Sequence, residues 1–232
     1  MIAVTFALPA ESWGFLRRLH KKSKTERKGI RVIRGEIDSR VIEILHTGVG
    51  EKVCRARMAK FLQDRQFGCL ISAGFAGALN NRLHVGDLLL AENFSTVQLT
   101  EALSALSTLS VHAVALLTVP STIESREERN KIAQTTGAAA ADMETEFIAR
   151  ACAEHGIPLL SLRAISDTPG EPFPAPSNIL FDVVNQRTNL VKLAAFFLTR
   201  PNRVPRLIQF AKRIARARET LASAIVNVAT AL

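Results

Sequence analysis

Apolar residues fall into short blocks along this chain, and turn-forming residues separate them. Ile2 to Ala7, Cys69 to Ala73, Leu88 to Ala91, Val111 to Thr118 and Leu159 to Ile165 run almost continuously apolar, as strands covered on both faces do. Arg31 to Ile37 and Arg40 to Leu45 alternate instead, and the Asp38-Ser39 pair between them predicts a hairpin. Helical patterns fill the intervals. Pro9 suits a first helical position, with Glu11 in the first turn, where the macrodipole favours a carboxylate. Thr47-Gly-Val-Gly turns into a helix ending near Gln63, and Glu124 to Gln134 forms a charged one. Met143, Phe147, Ile148 and Ala151 share one face of a helix predicted over Asp142 to His155, which Gly156 and Pro158 terminate. Two more helices follow, divided at Pro201 and Pro205. Strands alternating with helices predict an α/β fold, a three-layer α/β/α sandwich, as one domain over residues 1–232.

Polar residues that interrupt the pattern are the candidates for chemistry. Arg163 breaks an otherwise apolar strand, and an arginine there requires a carboxylate or anion partner. Ser166 and Asp167 stand at that strand's carboxyl end, where open α/β sheets bind their ligands. Gly74-Phe75-Ala76-Gly77 reads as a loop whose glycines admit close approach of a ligand, and the proline-rich TPGEPFPAPSN after Asp167 as a loop that could cover a site.

Composition narrows the classes. Apolar residues make up 47% of the chain, with no run long enough to span a bilayer and no signal-peptide pattern, so a soluble cytoplasmic protein is expected. Cys54, Cys69 and Cys152 are odd in number and widely spaced, which favours buried reduced thiols over a disulfide framework. No CxxC, HExxH or clustered ligand set points to a metal. The formal charge is +9, and Val183 to Arg218 contains nine basic residues and no acid, so the remainder nets to zero. Such a segment suits an anionic surface: membrane, nucleic acid or a phosphorylated ligand.

DMETE followed by RAISD resembles the paired motifs of the nucleoside phosphorylase and nucleosidase superfamily. IAVTFALPAESWGFL, HTGVGEKVCRARMA and ISAGFAGALNNRLHVGDLLLAE extend the resemblance over most of residues 1–167, toward the methylthioadenosine/S-adenosylhomocysteine nucleosidases. The resemblance implies a central mixed sheet and cleavage of a purine N-ribosidic bond with no cofactor. It implies that Asp167 protonates the purine at N7, that Glu11 activates water, that Glu144 holds the ribose 2′ and 3′ hydroxyls, and that Arg163 helps place the water and the Glu144 carboxylate. Met143 would pack against the sugar, and Thr122 and Ile123 would read the purine edge, with Ser166 and Phe75 lining the base site. Taken singly, these residues also have plain readings: a turn cap for Asp167, a helix-terminus charge for Glu11, a solvated first-turn residue for Glu144, a structural ion pair for Arg163 and core packing for Met143.

Departures from the family pattern are informative. Phosphorolytic relatives bind phosphate with arginines where this chain has ALPAE and GCLIS, so water is the expected nucleophile. Phe75 replaces a small serine in the glycine-rich stretch, and the segment between Glu92 and Val111 is short. FFLTRPNRVPRLIQFAKRIARARETL resembles the tail of a hopanoid-associated phosphorylase/nucleosidase branch, which implies an adenosylated hopanoid-type lipid as substrate. After Pro205, Leu207, Ile208, Ala211, Ile214 and Ala215 form an apolar stripe with Arg206, Arg213 and Arg216 off it, the pattern of an interfacial helix and, more commonly, of an ordinary one packed on a core. The expected partners are therefore a small or lipid-linked purine nucleoside, a second copy in a homodimer, and an anionic membrane at the inner face, with no nucleic acid. Soluble methylthioadenosine/S-adenosylhomocysteine cleavage, and a non-catalytic relative that only binds a nucleoside or an anionic surface, remain as alternatives.

Overall fold

Four parallel strands sort their alternate residues onto two faces, and this sorting creates the layers. They are β1 (Ile2–Phe6), β4 (Arg40–His46), β5 (Cys69–Ala78) and β10 (Leu159–Asp167), adjacent in the order β4-β1-β5-β10. Val4, Ile44, Ile71 and Leu160 meet one set of helices, whereas Ala3, Leu45, Leu70 and Leu159 meet the other. On the first face lie α1 (Pro9–Leu16) and the C-terminal helix α7 (Val204–Ala231), through Phe15, Leu221, Ile225 and Val228. On the second lie α2 (Glu51–Leu62) and α5 (Thr145–Glu154), through Met58, Phe61, Ile148 and Cys152. This computed structural model describes residues 1–176, 179, 181, 182, 186 and 190–231. Ser177 and Asn178 of the proline-rich stretch, and Val183 and Arg187 of the basic one, lie outside the described residues.

Among the described residues, the remaining strands complete a mixed sheet of ten. The strands β2 (His20–Arg27) and β3 (Ile30–Ile37) add antiparallel to β4, while β6 (Leu88–Ala91) runs antiparallel to β10 and β7 (Val111–Val114) parallel to β6. Two short strands, β8 (Leu116–Thr118) and β9 (Ala140–Asp142), extend the far end of β5. The described residues also form the helices α3 (Leu99–Ala105), α4 (Arg126–Thr136) and α6 (Leu190–Leu198) and a 3₁₀ turn at Pro201–Arg203.

Several predicted elements shift for identifiable reasons. The glycine-rich stretch predicted as a loop is strand: β5 continues through Gly74–Gly77 because Arg163 to Asp167 of β10 pair alongside it. The edge strand β2 (HKKSKTER) has no apolar alternation to betray it, because its residues face solvent almost throughout. Such a charged edge resists pairing with another chain. Val111 to Thr118 divides at Ala115, where the chain leaves β6 and joins β9. The helix expected from Asp142 begins only at Thr145, since Asp142 ends β9.

The helix α7 is docked along only half its length. Ala217, Leu221, Ala222, Ala224, Ile225, Val228 and Ala229 are buried, but Ile208 is 52% exposed and Leu207 and Ile214 are half-buried. The first half touches the proline-rich segment instead, through an edge contact of Phe210 on Phe173 and an Arg213–Glu171 ion pair at 2.9 Å. Leu221→Ala should therefore cost about 2–5 kcal/mol of stability, whereas Ile208→Ala should stay within about 0.5 kcal/mol. Urea denaturation of the two variants checks this, and comparable losses would mean that both halves are packed.

Candidate active site

Successive parallel strands end at one edge, and the polar residues of the chain collect there. Arg163, within β10, is buried and uses every N–H it has. Its Nε donates to Asp142 Oδ2 at 2.9 Å, Nη1 to the carbonyls of Ser72 (2.8 Å) and Leu162 (2.7 Å), and Nη2 to Ser72 Oγ (2.9 Å) and Thr145 Oγ1. Asp142 in turn accepts from Thr118 Oγ1 at 2.9 Å, from the Thr145 N–H at 3.3 Å and from the Thr145 hydroxyl. The carboxylate demanded by a buried strand arginine is thus Asp142, and Arg163 acts on its other neighbours through its charge.

Glu11 and Glu144 are those neighbours. Glu11, in the first turn of α1, accepts from the Leu8 N–H at 2.8 Å, a local helix-start contact, and from the Phe75 N–H across on β5 at 3.0 Å. Gly74 makes room for this approach, as a Cβ there would lie 3.2 Å from Glu11 Oε1. Burial raises the Glu11 pKa, with the two N–H donors and the Arg163 charge opposing it. Glu144 is the N-cap residue of α5 and is buried, not solvated. Its Oε1 accepts from the Gly50 N–H at 2.8 Å, in the turn after β4. Burial, then repulsion from Asp142, push its pKa up to about 8, and Glu11 adds to the repulsion. The Thr47–Gly50 turn is also held by Gln186, which receives the Val49 N–H at 2.7 Å and donates to the Val49 carbonyl at 3.0 Å.

Asp167 lies two positions along β5 from the Glu11 contact, against Gly77. It is 1% exposed, accepts from Ser166 Oγ at 2.7 Å, and forms a buried ion pair with Arg129 of α4. Burial raises its pKa and the Arg129 guanidinium opposes that rise. Of the remaining sequence candidates, Met143 is half-buried between β9 and α5, and Phe75 is half-buried with its side chain against the core. Ile123 packs its side chain with Leu79, Ala138 and Ala141, offering only its main chain, while Thr122 is exposed.

Sequence reasoning missed Asp142 as a partner, the hydroxyls of Ser72, Thr118 and Thr145, and Arg129. Arg129 carried a signal: it shares a helix face with Ile132 and Ala133, at offsets of three and four in an otherwise charged helix. Among the described residues no cluster of His, Cys, Asp and Glu could hold a metal ion. The cysteines are buried, with thiol pKa values pushed up to about 12, 11 and 12 for Cys54, Cys69 and Cys152, chiefly by burial.

The raised Glu144 pKa has a consequence for stability. An unfolded glutamate titrates near 4.5, so between about pH 4.5 and 8 the folded chain holds a proton that the unfolded chain has lost, and stability falls as pH rises through that window. Between pH 6 and pH 9 the wild-type protein should lose roughly 2–3 kcal/mol more than Glu144→Gln, which has no charge to bury. Denaturation curves at both pH values measure the difference. Equal losses would place Glu144 in contact with water.

The family model described as the phosphorylase superfamily matches residues 1–104 and 95–200. A search of curated proteins gives no match. Among solved structures, the 5′-methylthioadenosine/S-adenosylhomocysteine nucleosidase of Neisseria meningitidis, in complex with methylthio-immucillin-A, superposes with a TM-score of 0.75 at 16% identity, covering 100% of this chain and 99% of that one. The corresponding Streptococcus pneumoniae enzyme gives 0.73 at 19% identity over 99% and 98% of the two chains. Futalosine hydrolase of Helicobacter pylori gives 0.74 at 15% identity over 100% and 97%. The chain belongs to the phosphorylase superfamily.

Proposed function

We propose that this member of the phosphorylase superfamily is a nucleosidase that hydrolyses the N-glycosidic bond of a purine nucleoside and releases adenine. The observation that carries the reading is the meeting of Glu11, Glu144 and Asp167, three buried carboxyls with raised pKa values, at one edge of the sheet. Breaking C1′–N9 gives the ribose oxocarbenium character and sends the bonding electrons to the base, so the reaction requires an acid, a base and a ribose anchor. Asp167 gives its proton to purine N7. Glu11 takes a proton from the water whose oxygen bonds to C1′, and burial, by raising its pKa, favours its taking that proton. Glu144 receives the 2′ and 3′ hydroxyls, whose donated hydrogen bonds draw it toward its charged form. Arg163 keeps Asp142 and the start of α5 in place beneath Glu144. Water is the nucleophile in this reading because no arginine stands in ALPAE after β1 or in GCLIS before Gly74.

A panel of purine nucleosides assayed for free base, with and without phosphate, tests this directly. Adenine should be released at the same rate in both, with free ribose sugar as co-product, and Asp167→Asn should lower turnover by about 10²–10⁴-fold with the fold retained. An Asp167→Asn variant as fast as wild type, or strict phosphate dependence, would overturn the assignment. A chain that binds nucleosides without cleaving any would be a non-catalytic relative.

For the 5′ group, the exposed face of α6 and α7 favours an apolar, lipid-linked substituent such as a hopanoid over methylthioadenosine. Leu198 is 81% exposed beside Phe196, whose ring carries Arg200 and Arg203, and the exposed Ile208 sits among Arg206 and Lys212. Among the described residues no helix is long and apolar enough to cross a membrane, so the contact proposed is peripheral. Each basic residue at an anionic surface contributes on the order of 1 kcal/mol. The protein should co-sediment with anionic but not neutral liposomes, and less so as salt rises. Equal, negligible binding to both would return small 5′-thio nucleosides to first place.

A further inference from the structure

We infer that Arg129 is the positioning residue of the proposed acid: it fixes the Asp167 carboxyl and supplies the countercharge that Asp167 needs once its proton has left. The inference rests on the hydrolase reading and deepens it. Arg129 enters from the first turn of α4 and is 5% exposed. Its Nε donates to the Ile123 carbonyl at 2.8 Å, its Nη1 to the Ala78 carbonyl at 2.9 Å, and its Nη2 to Asp167. Gly77 leaves room for the pair, since a Cβ there would stand 3.2 Å from Asp167 Oδ2 and 3.3 Å from Arg129 Nη1. Two main-chain carbonyls therefore aim the guanidinium, and Asp167 receives it from a fixed direction. The Ile123 carbonyl belongs to the segment expected to read the purine edge, so one side chain sets acid and base-binding segment relative to each other.

The chemistry explains why a cation is required there. As C1′–N9 breaks, Asp167 loses its proton to N7 and becomes a carboxylate in a site closed to water, while Glu11 gains the proton of the attacking water. An uncompensated carboxylate at that depth is costly, and the proton would return to Asp167. A guanidinium already in place offsets the cost, and it cannot itself deprotonate. No other charged group among the described residues meets this carboxylate. On β5 it faces Gly77, on β10 Ser166, and Asp142 of β9 is occupied by Arg163. Asp87, beside β6, faces His84 and His112.

Removing the cation should make Asp167 a weaker acid, so the alkaline limb of kcat/KM for adenine release, above which the acid is deprotonated, must move to higher pH. In Arg129→Met the limb should rise by about 1 pH unit or more. Adenine turnover should fall about 10–100-fold. A 4-nitrophenyl riboside, whose leaving group needs no proton, should keep most of its rate. Arg129→Lys keeps the charge but loses the aim, and should shift the limb less; it also serves if the methionine variant does not fold. A limb unmoved in whichever variant folds, or equal losses on both substrates, would reduce Arg129 to a structural ion pair. If the wild-type protein releases no purine from any nucleoside, the hydrolase reading itself falls, whereas an active wild type with an unmoved limb removes only the role of Arg129.

Discussion

The satisfaction of one buried guanidinium organises the carboxyl edge of the sheet. Arg163 cannot lose its charge, and β10 gives it no route to water, so each of its five N–H groups must find an acceptor inside the protein. Those acceptors come from β5, β9, β10 and the start of α5. Meeting the demand fixes where Asp142 ends its strand and therefore where Glu144 begins the helix. Removing one member of such a buried pair costs roughly 3–5 kcal/mol, because the remaining charge is stranded. Glu144 is positioned by a pair to which it does not itself hydrogen-bond.

The carboxyls on this frame are tuned by what they lack. Glu11 and Glu144 are held by peptide N–H groups from Leu8, Phe75 and Gly50, with no cation among the described residues in direct contact, so burial outweighs the donors and the pKa values rise. Peptide donors favour the charged form without neutralising it, which leaves a group able to exchange a proton. Asp142, by contrast, lies directly against the Arg163 guanidinium and the Thr145 hydroxyl, as a structural carboxylate would. Asp167 stands between these cases: it has a cation, yet burial still dominates.

Much of this was legible in the sequence, and the limits have physical causes. Continuous apolar runs identified β1, β5, β6 and β10 because both their faces are covered, and Arg163 announced a hidden carboxylate by interrupting one of them. The identity of that carboxylate was not legible, since Asp142 and Glu144 lie two residues apart and only the end of β9 decides which of them meets Arg163. β2 was missed because an exposed edge strand carries no burial pattern, and Gly74–Gly77 was misread because glycines that admit the Glu11 and Asp167 carboxyls look the same as glycines that make a turn. Arg129 was obscured by its acidic neighbours in REERN, where helical offsets to Ile132 and Ala133 were the one available sign.

The C-terminal helix shows how far burial alone can explain a sequence. Its second half is specified by the sheet, since Leu221, Ile225 and Val228 fill the layer beside Val4, Ile71 and Leu160. Its first half carries a comparable apolar periodicity that no core cluster of the described residues receives, and basic residues on its flanks. What holds that half is the chain just beyond Asp167: Thr168 and Glu171 close a turn on each other, Glu171 pairs with Arg213, and Phe173 packs on Phe210. The segment that leaves the carboxyl edge of the sheet is therefore the same one that holds the exposed apolar and basic half of α7. An apolar 5′ group of the kind proposed would therefore place its demand on Thr168–Phe173 and the half-docked part of α7 together, since these two segments hold each other.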